Sequence, residues 1–293
     1  MGIEGLTTYL GQVFAARSGL MTPEVYRDEL AATAAQMDRG RPGRTWRNLQ
    51  DTATDAQNLY DSPQAWTSWR RSVDFYPESE LIWLEADTII RQQSNGQKSL
   101  DDFGKLFHGA PSTGPKLVPY TFDDIVNAMN QVVAYDWRSF FSSRLQSHGP
   151  GAPLGGITNS GWRLVYSDVK PDIEKTGEMA RDFADFSFSL GFNVNDKNHA
   201  IPDVIVGSPA YKAGAGPGMV LVAVNGRAYT KDVLLEALRA GKDNTQPLEL
   251  LIRNGDYFKT YSIDYHGGEQ YPHLVQETGR PDVLSQIIAP HAK

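Results

Sequence analysis

The chain has 293 residues, 40% of them apolar, and a net charge of −7 from 28 basic and 35 acidic side chains, which is enough for two domains and a substantial core. The charges form no long single-sign block, and no apolar run approaches the roughly 18 residues of a membrane span, so nucleic acid, anionic lipid and a membrane span are excluded as expectations. Cysteine is absent, which removes disulfides, thiolate metal sites and thiol nucleophiles but leaves the compartment open, reducing or oxidising; the amino terminus lacks the pattern of a signal peptide.

Leu6, Tyr9, Leu10, Val13 and Phe14 repeat at helical spacing, so a first helix starts at Glu4-Gly5. Thr22-Pro23-Glu24 caps a second, whose inner face is Val25, Tyr26, Leu30, Thr33, Ala34 and Met37 and which stops near Arg39-Gly40. Residues 41–71 hold a Pro/Gly break, a short helix around Trp46 to Leu59, and an aromatic stretch with Trp66 and Trp69. The strongest helix follows Phe75-Tyr76. Pro77 suits its first position, Glu78 and Glu80 favour its positive end, and Asn95-Gly96 offers a left-handed stop. Ile82, Trp83, Ala86, Ile89 and Ile90 form its buried stripe, with Glu85, Thr88 and Gln92 expected on the solvent side. This start places the Tyr76 hydroxyl at a helix mouth, where it either packs or serves a site. Ser99 to Asp102 and Thr121 to Asp124 have the form of capping boxes, and Asp136 caps a helix carrying Trp137, Phe140, Phe141 and Leu145.

The Gly/Pro-rich residues 148–156 read as a linker. Beyond it come short β-forming stretches, Trp162 to Tyr166, Phe183 to Phe188, Val204 to Val206, Val220 to Val224, Leu248 to Ile252 and Phe258 to Tyr265, with turns at Asn225-Gly226 and Asn254-Gly255 and one helix from Lys231 to Ala240. The expected architecture is therefore multidomain α + β. An all-helical unit over 1–147 and the linker over 148–156 lead to a small β-barrel capped by helix over 157–268, then a tail over 269–293 in which Val283, Leu284, Ile287 and Ile288 can be helical.

Two resemblances sharpen this reading. Val206 to Gly214 reads V-G-S-P-A-Y-K-A-G and Gly216 to Gly226 reads G-P-G-M-V-L-V-A-V-N-G, which resembles the bacterial PDZ pattern with Met219 in place of the usual Asp. The resemblance implies that Ser189, Leu190, Gly191 and Phe192 form the loop whose N–H groups hold a peptide's C-terminal carboxylate, beside a strand edge and a helix that accept an extended peptide; the other reading is a groove already occupied or covered. The first half resembles the carboxy-terminal part of the peptidase domain in the glycyl aminopeptidase family, gluzincin metallopeptidases with a C-terminal PDZ domain. Glu4 to Tyr9 (E-G-L-T-T-Y) is similar to the segment that supplies the third zinc ligand, and Asp74 to Leu81 (D-F-Y-P-E-S-E-L) to the segment carrying the transition-state tyrosine; Trp83 to Arg91 and Ser99 to Phe103 extend the match. Ser79 stands where the family has Gly.

The resemblance implies that Glu4 ligates zinc and Tyr76 stabilises the oxyanion during release of small, Gly-like amino-terminal residues from peptides, both facing one exposed cavity. The histidines at 108, 148, 199, 266, 273 and 291 never form H-E-x-x-H. Zinc catalysis needs about three protein ligands and an open water position, so the expectation is a fragment starting after the zinc helix, with zinc in the full-length protein, none bound to these residues, and no activity of their own. The alternative is a non-catalytic PDZ-type peptide-binding protein with a helical scaffold.

Overall fold

The computed structural model describes residues 2–63, 65–109 and 117–290, with side chains from residue 4 onward. The chain begins with α1 (Gly2–Arg17) and α2 (Pro23–Asp38), a 3-10 turn at Pro42–Thr45, and the short helices α3 (Leu49–Thr54), α4 (Ala56–Tyr60) and α5 (Thr67–Arg70). Then come α6 (Pro77–Gln93), α7 (Leu100–His108), α8 (Phe122–Val132), α9 (Trp137–Leu145) and α10 (Gly155–Asn159). The caps read from the sequence form: Thr22 accepts from Val25 N, both capping boxes close, and Asp136 accepts from Ser139 N. Asn95 and Gly96 take positive φ just past α6, which gives that helix its stop.

α6 is the axis of this half, and it departs from the expected one-sided stripe: every residue from Glu78 to Ile90 is buried. Three of its buried polar side chains, Glu85, Asp87 and Thr88, have partners. Glu85 takes Arg144 of α9 on both carboxylate oxygens, Thr88 bonds back to the Glu85 carbonyl at 2.7 Å, and Asp87 accepts from Tyr9 of α1 at 2.8 Å and from the Leu100 amide at 2.9 Å.

The expected linker ends inside this core. Gly155 and Gly156 start α10, which lies on α6 so closely that a Cβ on Gly156 would sit 2.6 Å from the Glu85 amide nitrogen. Glycine is required there for contact, not for flexibility. Next, β1 (Trp162–Ser167) pairs antiparallel with β8 (Tyr271–Gln276), from Trp162 opposite Gln276 to Ser167 opposite Tyr271. This ribbon packs on α2, with Arg39 3.6 Å over the Tyr166 ring and Arg27 5.2 Å over Trp162. The expected tail is also built in: α14 (Val283–Ile288) buries Leu284, Ile287 and Ile288 in the helical core, and Arg17 of α1 donates to the Ile287 carbonyl at 2.7 Å.

Between the ribbon strands lies a second core. It holds α11 (Asp172–Arg181), β2 (Phe183–Phe186), β3 (Phe192–Asn195), α12 (Pro209–Ala213), β4 (Val220–Val224), β5 (Arg227–Ala228), α13 (Lys231–Gly241), β6 (Leu248–Asn254) and β7 (Tyr257–Ile263). Asn225-Gly226 turns β4 into β5 with both φ positive, and Gly255 supplies the positive φ in the two-residue β6–β7 turn. The expected barrel is not closed. Among the described residues the strands form an antiparallel sheet in the order β5-β4-β6-β7 and the two-stranded ribbons β1-β8 and β2-β3, while the stretch expected as a strand at 204–206 contributes one isolated bridge, Phe192 to Val204. The two units touch directly, with Ser68 donating from its amide to Asp203 and from its hydroxyl to the Val204 carbonyl.

Candidate functional site

Tyr76 and Glu4 sit at the starts of two packed helices. Glu4 lies in the first turn of α1, exposed, where a carboxylate suits the helix dipole. Tyr76 is the N-cap of α6, half-buried, with its ring 4.4 Å from that of Phe75. The two starts meet at Gly5 and Ser79: a Cβ on Gly5 would fall 2.1 Å from Ser79 Cβ, so a side chain there would push α1 away from α6. This contact brings the Tyr76 phenol within electrostatic and hydrogen-bonding reach of the Glu4 carboxylate. Partial burial and then the negative charge of Glu4 raise the phenol above its ordinary value, so the hydroxyl keeps its proton. Two residues 72 positions apart thus face each other across the helix junction. Ser79 Oγ, at the same junction, is buried and has no hydrogen-bond partner among the described residues. Beyond it an apolar recess of about 530 Å³ opens between α6, α8 and α9, lined in part by Ile82, Trp83, Ile125 and Phe141.

A buried ionic clamp fixes the turn that presents Tyr76, and nothing in the sequence pattern announces it. Asp74 takes Arg41 at 3.0 Å on one oxygen and Arg71 at 2.8 Å on the other, and Glu78 takes Arg71 and Arg44. Arg71 also donates to the Arg47 carbonyl at 3.0 Å, and Arg44 to that of Gly151. Burial alone would raise the Asp74 carboxyl, but Arg41 and Arg71 beside it hold it below the usual carboxylate range. Arg71 reaches this position with φ +60°, a strained value for a non-glycine residue, held by its ring of acceptors. The only signal in the sequence is three arginines and two acids scattered over 41–78, with no period to tie them together.

The loop expected to hold a peptide carboxylate lies elsewhere, in the second core. Ser189, Leu190 and Phe192 are buried, and the backbone N–H groups of Ser189, Leu190 and Gly191 all donate to the Phe186 carbonyl, at 3.2, 2.8 and 3.0 Å. The expectation that these groups stand open to a ligand is not met in this conformation. Zinc has no complete donor set here: among the described residues no group of three or more His, Asp or Glu converges, and Glu4 stands as a lone ligand candidate.

Residues 2–82 match the family model of M61 glycyl aminopeptidase. An aminopeptidase N family protein from Idiomarina loihiensis has a similar fold, with a TM-score of 0.71 at 19% identity, over 98% of this chain and 48% of that one. The chain thus spans about half the length of this relative. The HtrA3 PDZ domain bound to a phage-derived ligand (FGRWV) matches at 20% identity over 41% of this chain and 98% of that one, with a TM-score of 0.19, too low to assign a fold. No curated protein matches. Glu4, Gly5, Tyr76 and Ser79, the residues that meet at the helix junction, all fall within the stretch that matches the M61 glycyl aminopeptidase model.

Proposed function

We propose that these residues are part of a zinc-dependent aminopeptidase that releases small, glycine-like amino-terminal residues from peptides, joined to a PDZ-type peptide-binding module. The observation that carries this reading is the meeting of Tyr76 and Glu4 across the junction of α1 and α6. Zinc would supply Lewis-acid chemistry to the whole protein. These residues offer it one carboxylate, Glu4, so the other ligands would come from chain outside them. Tyr76 has a role that needs only its own geometry. A neutral phenol, fixed at a helix start by the Asp74 and Glu78 clamp, donates a hydrogen bond to the oxygen of a peptide carbonyl as negative charge gathers there. Because the donor is positioned beforehand, it costs no reorganisation when the charge appears.

In the whole protein, Tyr76→Phe should lower kcat about 10²- to 10³-fold with KM nearly unchanged, as for loss of one oxyanion donor. Turnover of a glycyl anilide measures it, and an unchanged kcat removes Tyr76 from the chemistry. The 293 residues alone should hold no stoichiometric zinc, since one carboxylate does not make a site. Metal analysis after purification without chelator checks this; a full equivalent of zinc, removable with loss of aminopeptidase turnover, would contradict it.

A further inference from the structure

We propose that β2, Phe183–Phe186, is an internal ligand lying in the peptide groove of the PDZ-type module, so that the groove stays closed to other extended peptides until this strand leaves. The proposal rests on the PDZ-type reading above and says what governs that module. β2 runs antiparallel to β3, with Phe183 opposite Asn195 and Phe186 opposite Phe192. At its end, the amides of Ser189, Leu190 and Gly191 converge on the Phe186 carbonyl oxygen. That is the arrangement in which a loop of N–H groups holds a carboxylate oxygen, here filled by the chain itself.

β3 has no other edge to offer. Its far side is bonded to the stretch after it, through Asn195 N to the Ala200 carbonyl at 2.9 Å, Ile205 N to the Gly191 carbonyl at 2.7 Å, and the Phe192–Val204 bridge. The side chains of β2 alternate as a bound peptide's would. Ala184 and Phe186 are buried in one core with Leu234 and Leu238 of α13, and the Phe186 ring lies 6.1 Å from that of Phe192, while Phe183 and Asp185 are only half-buried. A clip closes the arrangement: Glu178 of α11 accepts from the Asp185 amide at 2.7 Å and from Lys231, the first residue of α13. One acidic side chain of α11 thereby ties the strand to the start of α13.

The fitting partner follows from what the strand presents. It is an extended peptide with an aromatic residue at its free carboxyl end and a small residue two positions earlier, able to replace four residues of β2 bond for bond. A tethered strand competes at a high effective concentration, so displacement should weaken such a ligand about 100-fold or more.

The test uses the full chain and a fluorescent peptide ending in Phe-Ala-Asp-Phe with a free carboxylate, beside its amidated form. Ala184→Asp puts a charge where the strand is buried and should expel it. The variant should bind the free-carboxylate peptide at least about 100-fold more tightly than the wild type and the amidated form weakly. A disulfide between Asp185→Cys and Asn193→Cys, which lie opposite in the register, should abolish binding, and its reduction should restore the wild-type value. If Ala184→Asp prevents folding, Glu178→Gln, which loosens the clip, gives the same comparison. Wild-type binding as tight as that of the released variant overturns the internal ligand and leaves the PDZ-type reading standing. A released, folded variant that binds neither peptide overturns both, and the aminopeptidase reading is untouched by either result.

Discussion

The buried carboxylates at and just before α6 differ in their partners. Asp74 and Glu78 sit among three arginines, and Glu85 and Asp87 have Arg144 and Arg91. Glu80 is 4% exposed and has no ion pair among the described residues. Burial first, and the nearby Glu29 second, push its carboxyl up to about 8. The sign of the consequence follows from proton counting. Between the unfolded value near 4.5 and the folded value of about 8 the native state holds a proton that the unfolded chain has lost. Stability therefore falls as pH rises through that window and is level on either side. A tenfold difference in proton affinity between the two states corresponds to about 1.4 kcal/mol, so the loss by pH 8 is on the order of a few kcal/mol. Glu80→Gln keeps the shape and stays neutral. The variant should match the wild type near pH 4.5 and exceed it by a few kcal/mol at pH 8. Denaturant midpoints of both proteins across that range check it, and parallel pH profiles would show that Glu80 is charged in the fold.

At the scale of elements, what the sequence showed and what it hid divide along one line. Features written in neighbouring residues were legible: the Thr22 cap, both capping boxes, the Asn225-Gly226 turn and the start of α6 at Pro77 all stand where local chemistry puts them. Features that depend on a distant partner were not. Glu85 and Thr88 looked like a solvent face because Arg144, 59 positions from Glu85, is silent in the local pattern. The junction of Glu4 and Tyr76 came from resemblance, whereas the clamp of Arg41, Arg44 and Arg71 around Asp74 and Glu78 has neither a period nor a motif. The Gly/Pro run at 148–156 misled most, since glycine that permits flexibility and glycine that permits contact look alike in a sequence. Gly156→Ala distinguishes the two. A linker glycine would tolerate the methyl or gain slightly from a less free unfolded chain. A contact glycine, with the new carbon 2.6 Å from backbone nitrogen, should lose about 1 to 3 kcal/mol to overpacking. Thermal unfolding of the single variant decides, and no loss would return residues 148–156 to the role of a spacer.

The whole molecule has the plan of an insertion. The helical core is completed by both ends of the chain, since β1 and β8 pair on α2 and α14 docks on α1, while the second core lies entirely between Ser167 and Tyr271. Those two residues are opposite each other in the ribbon, a few ångströms apart as antiparallel partners are. Replacing residues 168–270 by a two-residue Asn-Gly turn would therefore close a hairpin without moving either strand. The helical half should keep its fold in that variant. Cutting the chain after residue 268 should do the opposite, although it leaves the second core whole, because it removes Leu284, Ile287 and Ile288 from the helical core. At about 1.5 to 3 kcal/mol for each buried side chain, the loss is roughly 5 to 9 kcal/mol, comparable with the entire stability of a domain. The chain carries its own reporter: all six tryptophans, at 46, 66, 69, 83, 137 and 162, lie outside residues 168–270. Tryptophan emission during denaturant unfolding should show a cooperative transition in the excised variant and an unfolded or much weakened helical half in the truncated one. The reverse pattern, a stable truncated chain and an unfolded excised one, would mean that the second core supports the first, and the ribbon would then be a tether with no share in holding α2 and α14 in place.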